Sequence, residues 1–188
     1  MLFFDGAVCP ARAAPGKLPL VTLIFLFEKT MIGEGGKRLT LYLDNCCYNR
    51  PYDDQTQDRI HIESEAVLAV LRACESGYVT ILLSPVVRME IDKFSNEDKR
   101  TKVLSLYSLA EPDIPFTDEI KKRAEELRSK SSIRLMDSLH VATAEAGNVD
   151  AMLTTDDKLI KACARLELKV RVMNPVYFVL EILKGGEK

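Results

Sequence analysis

The chain has no excess of positive charge: 26 Lys and Arg stand against 28 Asp and Glu, for a formal net charge of −2. A broad basic surface for gripping nucleic acid is therefore excluded. Any such contact has to come from a local basic strip or through bound metal. Five cysteines are present, Cys9, Cys46, Cys47, Cys74 and Cys163, but none forms the C-x-x-C pair of a zinc site. An odd, irregularly spaced set also argues against a disulfide scaffold at this size. The thiols read as small buried hydrophobes in a reducing, cytoplasmic compartment. No apolar run reaches the roughly 20 residues of a membrane helix, so no membrane is expected as a partner. Internal repeats and low-complexity tracts are absent as well.

What is present is an ordinary globular composition. Of the 188 residues, 47% are apolar and 29% charged, enough for one domain with a sizeable core. Residues 1–38 differ from the rest, with Pro10, Pro15 and Pro19 and a ten-residue apolar run from Leu18 to Phe27. That run has the length of a signal-peptide core, but Asp5 and two prolines precede it and no small-residue cleavage motif follows. Three readings stay open: an extra edge strand, a disordered tail, or translation starting at Met31 ahead of the flexible Gly33-Glu34-Gly35-Gly36. The last is preferred. Residues 1–38 are thus read as an extension outside the native fold, and 39–188 as the domain.

Within 39–188, strands alternate with helices. Leu39 to Leu43 reads as a buried strand ending at Asp44, and residues 49–57 as a loop. Apolar residues at helical spacing predict a helix from Asp58 to Glu75, stopped by Gly77. Tyr78 to Leu83 predicts a strand, and Ser84-Pro85 the capped start of a helix that carries Glu90. Helices are expected over Asn96–Ala110, Thr117–Lys130 and Ile133–Ala146, with Thr117 as a cap and a short strand at Ile114-Pro115-Phe116. A strand over Ala151–Thr154, a helix over Asp157–Leu166, a strand over Leu168–Val172 and a helix over Pro175–Leu183 complete the pattern. Strands that are continuous apolar runs predict a parallel sheet covered on both faces. Ligands of such sheets sit at the carboxyl ends of strands where the strand order reverses.

Asp44 and Asp156 both fall at strand ends. Either alone could merely cap the next helix, and Glu90 alone could be a solvated helix residue. Asp137 lies beside an apolar helix face, where a carboxylate must be paired or bind metal; Arg134 and His140 are its neighbours at helical spacing. Taken together, carboxylates brought close would repel one another. A divalent cation removes that conflict. Mg²⁺ and Mn²⁺ favour oxygen ligands, leave positions open for water and phosphate, and can activate a water.

The motifs around these acids resemble those of the PIN-domain nucleases, including the VapC-type toxins of toxin–antitoxin pairs. The resemblance runs from about Leu39 to the C-terminus. Asp44 in Tyr42-Leu43-Asp44-Asn45-Cys46-Cys47 matches the family's first acid. Glu90, a few residues after Ser84, matches the second. Asp137 in Met136-Asp137-Ser138-Leu139-His140-Val141-Ala142-Thr143-Ala144 matches the D-x-x-H-x-A-x-A helix, and Asp156 in Thr154-Thr155-Asp156 matches the T-x-D after a later strand. One departure stands out: many members have Asn two residues after the first Asp, and here that place is Cys46.

The resemblance implies a three-layer α/β/α sandwich and Mg²⁺- or Mn²⁺-dependent cleavage of single-stranded RNA, usually by a homodimer. A toxin would also have an antitoxin protein as partner. In the implied roles, Asp44, Asp137 and Asp156 hold the metal, Glu90 binds it or orients the attacking water, and Thr154 either bonds a carboxylate or phosphate or caps the next helix. The rival reading is a PIN-like module that binds RNA or a protein without catalysis. A phosphatase on a doubly wound fold is disfavoured, because the strand-one end lacks D-x-D. His140 reads as a packed helix residue, Cys46 and Cys47 as packing, and Asp157 as facing solvent. Arg50, Arg88, Lys93 and Arg134 are candidates for phosphate contact, against a default of surface ion pairs. Lys99, Arg100 and Lys102 read as a solvated face that could line an RNA groove.

Overall fold

The computed structural model describes residues 38–111 and 113–185. The expectations for residues 1–37, including the apolar run and the start at Met31, lie outside the described residues. Four strands, β1 (Leu39–Leu43), β2 (Val79–Ile81), β3 (Ala151–Leu153) and β4 (Arg171–Met173), form one parallel sheet in the order β2-β1-β3-β4. Leu41, Tyr42 and Leu43 of β1 and all of β3 are buried, which is why these central strands read as continuous apolar runs. β4 lies at the edge and its residues are partly exposed.

Parallel neighbours need long crossovers, and helices supply them. The helices are α1 (Asn45–Asn49), α2 (Asp58–Glu75), α3 (Pro85–Ile91), α4 (Glu97–Tyr107), α5 (Asp118–Ser129), α6 (Leu135–Ala146), α7 (Asp157–Cys163) and α8 (Pro175–Gly185). α2 packs against α8, while α6 packs against α5 and α3; these two groups cover the sheet as an α/β/α sandwich. After β2 the chain returns past β1 to place β3 on its other side. The strand order therefore reverses between β1 and β3, the place where such sheets bind ligands.

Local signals explain most boundaries. Gly77 ends the α2 turn at φ +79°, a conformation glycine adopts without strain. The Ser84 hydroxyl accepts from Val86 N, with Pro85 in the first turn of α3. Five expectations need correction. Ile114-Pro115-Phe116 is not a strand. One bridge forms just before it, Leu83 to Asp113, with Ile114 N donating to Leu83 O at 3.0 Å, and Pro115 has no N–H to continue a ladder. α6 starts at Leu135 rather than Ile133, because Arg134 is extended (ψ 160°). The expected loop at 49–57 begins with a 3₁₀ turn, Arg50–Tyr52, which holds Pro51. β4 lies a few residues later than expected, at Arg171–Met173. Thr117 occupies the cap position of α5, but its side chain bonds no helix N–H there.

Candidate metal centre at the strand ends

Register sets the first two members of the site. Leu43 pairs with Leu153, and Asp44 N donates to Leu153 O at 3.0 Å. Asp44 and Thr154 therefore leave the sheet side by side. The fully buried Thr154 hydroxyl donates to Asp44 Oδ2 at 2.7 Å and accepts from Asp156 N at 3.2 Å. Thr154 thus bonds a carboxylate; the side chain that caps α7 is Asp156. Cys46 Sγ lies 3.2 Å from both Asp44 Oδ2 and Thr154 Oγ1, so it occupies the site wall where an amide was noted as missing. Cys47 is buried against Leu153 O, and burial pushes its thiol pKa well up, which keeps it a neutral packing group.

Glu90 reaches the same place from α3. His140, on α6, is buried, and its Nε2 lies 2.9 Å from Glu90 Oε2 and 3.6 Å from Asp44 Oδ1. Its Nδ1 is 2.7 Å from the Tyr42 hydroxyl, which also bonds Ser84 Oγ at 3.1 Å. Burial alone would lower the imidazole pKa, but the Asp44 and Glu90 carboxylates outweigh it and raise it overall. His140 is thus a packed helix residue that also holds two acids in relation to each other. Its signal in the sequence was its place one helical turn after Asp137. Tyr42 offered only a hydroxyl inside an apolar strand.

Asp137 and Asp156 are gathered separately. Arg134 donates to Asp137 Oδ2 at 2.8 Å and Oδ1 at 3.1 Å, and to Asp156 Oδ2 at 3.2 Å. Asp156 Oδ1 caps α7, accepting from Lys158 N at 2.8 Å and Leu159 N at 3.2 Å. The dull explanations for these two acids, ion pair and cap, are therefore both present. Neither removes the residues from the site. Asp44, Glu90, Asp137, Asp156, Arg134 and His140 all line one open cleft of about 370 Å³. Asp44, Glu90 and His140 each offer it a ligand atom, all within 4.8 Å of one another.

Of the basic residues, Arg50 and Lys99 line the cleft as well. Arg50 pairs with the buried Glu63 at 3.0 Å and donates to Thr155 Oγ1 at 2.6 Å. Lys99 lies 3.4 Å from Asp53. Arg88, Arg100 and Lys102 sit in surface ion pairs with Asp92, Glu97 and Asp98. Asp157 is exposed and pairs with Arg59 at 2.7 Å.

The family model for the PIN domain matches residues 56–165, a span that takes in Glu90, Asp137 and Asp156. No curated protein matches the chain. Among solved structures, the chain is similar to VapBC2 from Rickettsia felis bound to a DNA fragment from their promoter. The identity is 18%, with 72% of this chain and 98% of that chain covered, at a TM-score of 0.49.

Proposed function

This chain belongs to the PIN domain family, and on that premise we propose that it is a metal-dependent endoribonuclease cutting single-stranded RNA. The observation that carries the reading is the meeting of Asp44, Glu90 and His140 at the strand-order reversal, with Asp137 and Asp156 on the same cleft. The acids fit the implied metal: hard carboxylate oxygens suit Mg²⁺ and Mn²⁺. Asp44, Asp137 and Asp156 would hold it, with Glu90 completing the set or orienting the attacking water. A divalent cation there supplies an activated water and takes up charge on the phosphate oxygens.

The chain's own groups prepare that chemistry. Thr154 fixes one Asp44 oxygen and leaves the other facing the cleft. His140, braced by Tyr42, sets the Glu90 carboxylate at hydrogen-bond distance. The α7 cap holds one oxygen of Asp156 and turns the second towards Arg134 and the cleft. The acids need no broad basic surface to engage a phosphodiester, in keeping with the net charge of −2.

The resemblance of the four motifs to VapC-type toxins carries the finer proposals: a toxin, working as a homodimer, held inactive by an antitoxin that inserts an amphipathic helix into the groove. Expression without a neighbouring gene product tests the toxin role, and unimpaired growth would overturn it while leaving the nuclease intact. No helix among the described residues is long and apolar enough to cross a membrane.

A second reading, a silent PIN-like binding module, is favoured by one observation: Arg134 already pairs with both Asp137 and Asp156. Cleavage of mixed RNA and DNA substrates with Mn²⁺ and with chelator separates the two. The nuclease cuts RNA only with metal. The binding module cuts neither and takes up no Mn²⁺ in a calorimetric titration.

A further inference from the structure

Arg134 is a cation placed among the acids assigned to a cation. Its side chain is 73% exposed and is held by ion pairs to Asp137 and Asp156. Its guanidinium takes three of the four oxygens of this pair, and the backbone cap of α7 takes the fourth. Asp137 itself is only 16% exposed, so water does little to screen it from its partner. A divalent ion and a guanidinium cannot sit against the same few oxygens without strong mutual repulsion.

We propose that Arg134 is a resident counter-cation that competes with the divalent metal for Asp137 and Asp156, and that metal loading turns it towards the RNA phosphate. This rests on the nuclease reading above. The extended backbone at Arg134 places the residue just ahead of α6, outside the helix, which makes the exchange feasible. Its planar fork suits a phosphate as well as it suits a carboxylate. A long exposed side chain at the cleft rim can swing between the two without disturbing the core. The two effects of the residue then oppose each other. It weakens metal binding, and it strengthens binding of the substrate once metal is bound.

The test uses the full chain and Mn²⁺ alone, by calorimetric titration, with Arg134→Gln, Arg134→Lys and a charge control, Arg171→Gln on the edge strand. Arg134→Gln is expected to bind Mn²⁺ roughly tenfold more tightly than wild type, as loss of one adjacent positive charge implies. Arg134→Lys should fall between the two, and Arg171→Gln should match wild type. At saturating Mn²⁺, Arg134→Gln should show a several-fold higher KM for RNA. Equal or weaker Mn²⁺ binding by Arg134→Gln overturns the competition while the nuclease reading stands. An unchanged KM overturns the phosphate contact. Wild type that takes up no Mn²⁺ overturns the nuclease reading, and this inference with it.

Discussion

Replacing Thr154 by Val removes one hydroxyl from the centre of the site and keeps the side-chain shape. That hydroxyl is completely buried and donates to the Asp44 carboxylate at 2.7 Å. A hydrogen bond to a charged group is worth about 1.5–3 kcal/mol. Asp44 is itself only 8% exposed, so water cannot replace the lost donor well. The Asp156 N–H also loses its acceptor, but it lies near the cleft, so this adds only about 0.5–1 kcal/mol. The new methyl returns about 0.8 kcal/mol of apolar burial. The net loss is about 2 kcal/mol, which lowers the urea midpoint by about 1 M for a domain of this size. Equilibrium urea unfolding at neutral pH measures it, with Thr154→Ser as companion. Serine keeps the hydroxyl and loses one methyl, so it should cost less, about 1 kcal/mol. If Thr154→Val is as stable as wild type, or Thr154→Ser is the worse of the two, the hydroxyl does not hold Asp44.

Two further substitutions separate charge from structure. Asp156→Asn should keep the α7 cap and lie within about 0.5 kcal/mol of wild type, whereas Asp156→Ala should lose about 1 kcal/mol. Both should lose Mn²⁺ uptake in calorimetry, and retained uptake by Asp156→Asn would leave the residue a cap alone. Away from the site, burial alone would push the Glu145 pKa up, but two bonds from Arg123 and the Lys169 N–H hold it below the ordinary 4.5. With a folded value below the unfolded one, its contribution is present at neutral pH and is lost as pH falls through the carboxylate range. Glu145→Gln should therefore cost about 2 kcal/mol in urea unfolding at neutral pH, with the gap from wild type closing as pH falls through the carboxylate range.

Asp44 and Asp156 were legible in the sequence because an apolar run that gives way to an acid, at once at Asp44 and after Thr154-Thr155 at Asp156, marks a strand end, and parallel strands end on one side of the sheet. The cap played by Asp156 was legible for the same local reason. Glu90 was harder. Its distance from Asp44 depends on how α3 packs on α6, which no local pattern contains. His140 reads as core from its spacing, and it is core. What the spacing could not convey is that Tyr42 on β1 holds the far side of the ring while Glu90 and Asp44 face the near side. Arg134 was visible as a partner for Asp137. Its reach to Asp156 required β3 and α6 to be neighbours in space. The misplaced strand at 114–116 came from weighing apolar character above the missing N–H of Pro115.

The proposed role of the strand-end acids is a metal site that cuts RNA. Its most direct test is the initial rate of single-stranded RNA cleavage at saturating Mn²⁺ by wild type and Asp44→Asn. Circular dichroism and urea unfolding would show both to be folded. The expected result is metal-dependent cutting by wild type and a loss of at least about a thousandfold in the variant, the scale of removing a metal-held reaction centre. Cutting by Asp44→Asn at the wild-type rate would contradict it.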